Sequence, residues 1–248
     1  MLRTNTLKSK LGSGQPVYGL ISSIPAPAAI ELIAEAGFDF VIIDMEHVLI
    51  NPETVENMIR VAESYDLTPL VRVADLNPKT LLRLLDGGAQ GIVLPMIESP
   101  EQLADAIAAC KYHPLGRRSL NAGRPGSFGK HSLAQYVEAA NQQIMVVAMI
   151  ESAEGVRRAA EIAAVAGLDM ILEGAADLSQ SLGMPGRSIS PRCNKPCPTP
   201  GRPRRPQALP IAPSPGSPAT LPVGRLAGST PLFSGMSAVS LFVRCKPV

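Results

Sequence analysis

Six short apolar runs, rich in β-branched residues, recur along the first three-quarters of this chain and dictate what it can become. They are PVYGLIS (Pro16–Ser22), FVIIDM (Phe40–Met45), TPLVRV (Thr68–Val73), GIVLPM (Gly91–Met96), IMVVAMI (Ile144–Ile150) and DMILEG (Asp169–Gly174). Continuous apolar strands of this kind are buried on both faces, as in parallel sheets. Helical stretches separate them. In AAIELIAEAG (Ala28–Gly37), Ile30, Ile33 and Ala34 make an apolar stripe that ends at a glycine suited to a helix C-terminus. Asn51 followed by Pro52, and Ser99 followed by Pro100 with Gln102 behind, are strong helix openings. Strict alternation of strand and helix specifies an α/β fold with right-handed crossovers.

Two architectures satisfy that alternation, an open doubly wound sheet and a (β/α)8 TIM barrel. The open sheet calls for a glycine-rich phosphate loop after its first strand, and none follows PVYGLIS. GSFGKHS (Gly126–Ser132) lacks the spacer and ending of a P-loop and reads as a surface loop. No G-x-S-x-G nucleophile elbow occurs. A barrel instead requires its functional side chains at the C-terminal ends of the strands. Asp44, Glu46 and His47 end the second run, Arg72 the third and Glu151 the fifth, while Glu173 and Asp177 follow the sixth. Charges at the ends of buried strands are costly unless paired, ligated or open to a cleft, so four strands carrying them at one end imply a shared site. Glu151 and Asp177 are hard oxygen donors suited to Mg2+ or Mn2+ rather than zinc. Arg72 can hold a carboxylate or enolate oxygen. His47, oriented by Asp44, is the natural general base. Together they describe proton removal beside a carbonyl, or carbon–carbon cleavage that yields an enolate.

Composition changes abruptly after Arg187. Up to that point 15 basic residues stand against 21 acidic ones, a formal charge of −6; the remaining 61 residues hold 8 basic residues, no acidic one and 13 of the 24 prolines. Domain organisation follows: residues 1–187 form a partial barrel of about six βα units, and 188–248 form an irregular Pro/Arg/Ser-rich tail. That tail reads as a disordered or frameshift-derived sequence, with strand-like character confined to MSAVSLFVRC. Without two further units, both edge strands of the sheet are expected to be open. The N-terminus has no continuous apolar segment, and no run approaches the ~18 residues of a membrane helix, so neither a signal peptide nor a membrane partner is indicated and a cytoplasmic location is expected. The arginines of RPRRP do not suffice to indicate nucleic acid. Cys110 reads as a small buried hydrophobe, and Cys193 and Cys197 lack the further ligands of a zinc site.

The segments GFDFVIIDMEH, LVRV, LLDGGAQGIVLPMIES, YHPLGRRSLNAG, IES and GAADLSQSLG follow, in order, the pattern of the HpcH/HpaI aldolases, which this chain resembles over about residues 17–186. The resemblance implies a class II, metal-dependent enzyme of the phosphoenolpyruvate/pyruvate barrel superfamily. By that likeness Glu151 and Asp177 hold Mg2+ or Mn2+, Arg72 contacts the oxygen that becomes the enolate, and His47 is the acid/base supported by Asp44 and Asp86. The backbone at Gly174, Ala175 and Ala176 would cradle the carboxylate of a 2-oxo acid. Three features depart from the usual pattern: Met149 replaces a common glutamine, GAADLS with Glu173 before it replaces GPADLS, and Arg118 and Arg124 enrich one loop in cationic groups. These resemble the siderophore-pathway branch, which joins oxaloacetate and acetyl-CoA into citrate and implies no metal cofactor. The expectation is therefore a carbon–carbon lyase acting on a 2-oxo acid. A citrate-forming synthase is the alternative, and an inactive barrel fragment is the third reading. A family-like homo-oligomer is expected only of a complete barrel.

Overall fold

The computed structural model describes residues 3–186 and a strand at Met236–Leu241. The chain opens with α1 (Thr6–Gly12) and continues as β1 (Val17–Ser22), α2 (Pro27–Glu35), β2 (Phe40–Asp44), α3 (Pro52–Ser64), β3 (Thr68–Arg72) and α4 (Pro78–Asp86). It proceeds through β4 (Gly91–Leu94), α5 (Pro100–Cys110), a 3-10 turn at Arg124–Gly129, α6 (Leu133–Gln143) and β5 (Met145–Ile150). Two short helices, α7 (Ala153–Arg157) and α8 (Ala159–Ala163), then lead to β6 (Met170–Glu173) and α9 (Ala175–Ser181); β7 is Met236–Leu241. All six expected strands form.

The helix openings behave as their residues dictate. Asn51, Asn77 and Ser99 each accept a backbone N–H of the first turn with their side-chain oxygen, and a proline follows each of them. α2 is followed by Gly37 at φ +81, the left-handed stop that only glycine takes without cost. On α3, Val55, Met58, Ile59 and Ala62 form the buried stripe.

Strands β1 to β6 pair in parallel and in sequence order, curling into an incomplete TIM-type barrel with helices outside. Strand alternation splits the apolar side chains into two cores. Val41, Ile43, Val71, Ile92 and Val146 face the helices. Phe40, Ile42, Leu70, Val93, Met145, Val147 and Met149 face the inside of the curl, where Leu7 and Leu11 of α1 join them. α1 seals the strand N-termini: the Asn5 amide Nδ2 donates to the carbonyls of Gln90 (3.1 Å) and Gln143 (3.0 Å), and Thr6 Oγ1 lies 3.0 Å from Thr68 Oγ1.

One expectation is corrected at β1, whose outer edge is not open. β7 runs antiparallel along it from Val17↔Leu241 to Ser22↔Met236. An edge strand's free N–H and C=O groups attract any segment able to complete a ladder, and MSAVSL has the residues for it. Among the described strands, β6 ends the sheet on the other side. Cys193, Cys197 and most of the expected tail lie outside the described residues. The Gly126–Ser132 loop is only partly superficial, because Gly126 and Ser127 are buried within the 3-10 turn while Phe128 is exposed. Among the described residues no helix is long and apolar enough to cross a membrane.

Candidate active site

Strand C-termini converge on a cluster of charges. Arg72, the last residue of β3, is in register with Asp44, the last of β2, so their side chains emerge side by side. They form a two-pronged pair: Arg72 Nε donates to Asp44 Oδ1 at 3.0 Å and Nη2 to Oδ2 at 2.8 Å. Both residues are buried, at 1% exposure for Asp44 and 8% for Arg72, so neither charge has bulk water to replace its partner. Burial works to raise the Asp44 carboxyl, but the Arg72 bonds and charge, with the amides of Glu46 and His47, outweigh it and hold the group below its usual range. The same pairing overcomes the effect of burial on Arg72 and keeps its guanidinium charged.

Arg72's third nitrogen faces Glu46, with Nη1 3.3 Å from Oε2. That oxygen is buried without a hydrogen bond, and the His47 ring nitrogen Nε2 stands 3.8 Å from it on the open side. Burial, reinforced by the negative charges of Glu151 and Asp44 and opposed by Arg72 and His47, pushes the Glu46 carboxyl above its usual range. Asp44 reaches His47 only through the backbone, accepting its amide at 3.4 Å. The ring, expected to be oriented by Asp44, neighbours Glu46 instead. Glu46 is thus the site residue that reading the sequence left without a role. Its position in the strand-end cluster was the available signal.

Glu151 follows β5 directly and is 2% exposed. Its Oε1 accepts the backbone N–H of Met96 at 3.0 Å. Its Oε2 lies over Gly174, where a β-carbon would stand only 2.2 Å away. Asp177, half-buried, occupies the first turn of α9, which starts immediately after Gly174 at Ala175 and Ala176. These donors fit a hard divalent cation by type: carboxylates from the end of β5 and the first turn of α9, with the Glu151 carboxylate given its room by the missing side chain at Gly174. Among the described residues no three His, Cys, Asp or Glu side chains are placed to hold one metal ion, so a cation held by Glu151 and Asp177 would take its other ligands from water and substrate.

Asp86, Arg118 and Arg124 stand elsewhere. Asp86 ends α4, which runs back to the start of β4, and it accepts from Arg118 Nη2 at 2.6 Å and Asn121 Nδ2 at 3.1 Å. Arg118 also lies over the Tyr112 ring, 4.7 Å from its centroid. Arg124 pairs at 2.7 Å with Glu63 near the end of α3, so both arginines belong to the strand N-terminal side. The structure therefore brings Asp44, Glu46, His47 and Arg72 together at one end of the sheet, with Glu151, Gly174 and Asp177 on the neighbouring strand ends, and leaves the other three apart.

The sequence pattern of the HpcH/HpaI aldolase/citrate lyase family matches residues 18–192. The chain belongs to this family. The hydroxypyruvate/pyruvate aldolase of Delftia acidovorans is 34% identical over 185 residues, 75% of this chain and 69% of that one. The crystal structure of the citrate synthase SbnG is 47% identical over 73% of this chain and 70% of its own, with a TM-score of 0.67. An HpcH/HpaI aldolase structure from Desulfitobacterium hafniense is 32% identical with the same two coverages and a TM-score of 0.70. The Delftia and Desulfitobacterium relatives are named as aldolases, and the family as aldolases and lyases, which makes this chain an enzyme of carbon–carbon bond chemistry.

Proposed function

We propose that this HpcH/HpaI chain cleaves and forms carbon–carbon bonds next to a 2-oxo acid, passing through a pyruvate enolate. The observation that carries the reading is the buried Arg72–Asp44 pair with Glu46 and His47 on its open flank. Asp44 occupies Nε and Nη2 of Arg72 and so fixes the guanidinium plane, while Nη1, beside Glu46, has a second N–H to offer an oxygen that gains negative charge. In the cleavage direction His47 Nε2 takes the proton of the substrate's C4 hydroxyl. The C3–C4 bond breaks, the aldehyde leaves, and the electron pair enters the enolate stabilised by Arg72. Return of a proton to C3 gives pyruvate. Glu46, with its raised carboxyl, stands beside the His47 ring at the edge of the cleft. Gly174, Ala175 and Ala176 offer backbone amides to the substrate carboxylate. Glu151 and Asp177 would hold Mg2+ or Mn2+, which when bound supplies Lewis-acid polarisation of the ketone.

A second reading is favoured by one observation: identity to the citrate synthase is 47%, against 34% to the Delftia aldolase. There the enolate would come from acetyl-CoA or its equivalent and add to the ketone of oxaloacetate. The two readings separate in one pair of assays. Cleavage of a 4-hydroxy-2-oxo acid that chelator abolishes and Mg2+ or Mn2+ restores supports the aldolase. Thiol release from acetyl-CoA that depends on oxaloacetate and survives chelator supports the synthase. In either assay His47→Asn, at an exposed position, should lower turnover by about 100-fold or more. Turnover unchanged in that variant would remove His47 from the mechanism.

A further inference from the structure

Among the described residues that follow the C-terminal ends of the strands, Met96 has a backbone that defies its side chain. Its φ is +50, a left-handed conformation uncommon for any residue with a β-carbon. The excursion is local. Leu94 is still paired with Ala148, and Ile97 rejoins the ladder through its N–H to the Met149 carbonyl at 3.1 Å. Between them lie Pro95, which has no N–H, and Met96, whose N–H leaves the sheet and reaches Glu151 Oε1 at 3.0 Å. Met96 is therefore the sole backbone donor in that gap, and the left-handed turn is what aims it. Met96 is 43% exposed, so packing does not explain the conformation. The next residues hold the turn: Gln102 Oε1 accepts the Glu98 N–H at 3.0 Å, and its own amide lies 3.5 Å from the Met96 carbonyl. Strain of this kind, about 1–3 kcal/mol per residue, persists where the surroundings require it and collects at functional sites.

We infer that Met96 is a positioning residue, whose left-handed backbone pins one oxygen of Glu151 so that the other stays above Gly174 and open to a divalent cation. The inference rests on the metal-assisted reading above, and it concerns backbone geometry rather than the thioether. It predicts that tolerance of a left-handed φ, and not similarity to methionine, decides which substitutions work. Asparagine takes this conformation readily, whereas a β-branched residue resists it.

The test uses the 248-residue chain and two readouts. In chain labelled with 15N-methionine, the Met96 amide should exchange slowly, and Glu151→Ala should release it. Mn2+ affinity, followed by electron paramagnetic resonance, should be kept by Met96→Asn and weakened about tenfold or more by Met96→Val, as for loss of other outer-shell partners. Overlapping circular dichroism spectra confirm that both variants fold. A Met96→Asn as weak as Met96→Val, or a fast-exchanging Met96 amide in the unsubstituted chain, overturns the inference. An unsubstituted chain that binds no Mn2+ while its Met96 amide is protected overturns the metal reading alone, and the positioning role then stands on the exchange result.

Discussion

Replacing Gly174 with alanine should damage the site by displacing Glu151, and the size of the effect follows from the geometry. The added β-carbon would sit 2.2 Å from Glu151 Oε2, 2.4 Å from Cγ and 2.6 Å from Cδ. Ordinary van der Waals contact requires about 3.5 Å, so the carboxylate must retreat by about 1.3 Å. Glu151 is 2% exposed and held by the Met96 amide, so retreat breaks that bond. A hydrogen bond to a charged group is worth about 1.5–3 kcal/mol. Gly174 has φ −98, so alanine meets no backbone penalty and recovers about 0.4–1 kcal/mol by restricting the unfolded chain. The net cost is about 1–2 kcal/mol, or about 2–8 °C in the melting temperature of a domain this size. Turnover should suffer more, by about 100-fold, because ångström-scale misplacement of a catalytic group is amplified in the rate. Gly12→Ala is the control: nothing lies within 4 Å of its added carbon, and it should be neutral or slightly stabilising. Calorimetry and kcat/KM, measured on both variants, decide the matter. A Gly174→Ala protein that melts with the parent and keeps its kcat/KM would refute the steric argument.

Further outcomes follow from the buried charges. Arg72→Ala should lose about 3–5 kcal/mol in urea unfolding by stranding Asp44, whereas the double variant Asp44→Leu/Arg72→Met should recover much of that stability without recovering turnover; equal losses in both would show that the pair does not act as a unit. Burial brings the Lys111 ammonium down to about 8 from its ordinary 10.5. Between those values the unfolded chain keeps a proton that the folded chain has released, so folding gains stability as pH rises, by up to about 3 kcal/mol. Measured against Lys111→Met at each pH, which cancels the other titrations, that gain should appear between pH 8 and 10.5, and a flat difference would refute it. Cys110 is buried, with its thiol pushed up to about 12, and should resist alkylation in the folded chain until urea exposes it.

The barrel and one side of the site were legible because their signals are local. Buried parallel strands need unbroken apolar runs, and Asn51–Pro52 or Ser99–Pro100 announce a helix within a few residues. Asp44, Arg72 and Glu151 were legible as breaks at the ends of such runs. What escaped depends on contacts through space. The role of Glu46 comes from lying between Arg72 and His47, which register sets and spacing does not. Met96 escaped because methionine has no propensity for a positive φ, and only the gap around Pro95 demands it. α1 has seven residues, too few for a periodicity to register, and its anchors lie far along the chain. Arg118 and Arg124 suggest anion binding by type, but folding gives them to Asp86 and Glu63.

That distance between α1 and its anchors has a cost in time. Asn5 hydrogen-bonds to Gln143, 138 residues further on. On a ribosome adding about 5–20 residues per second, the Asn5 amide waits some ~7–28 s for that carbonyl to exist. Throughout that interval Leu7 and Leu11 have no complete inner core to enter. The segment translated early is among the last to reach its place, so the nascent chain carries Leu7 and Leu11 unsheltered while the floor of its barrel is still being made.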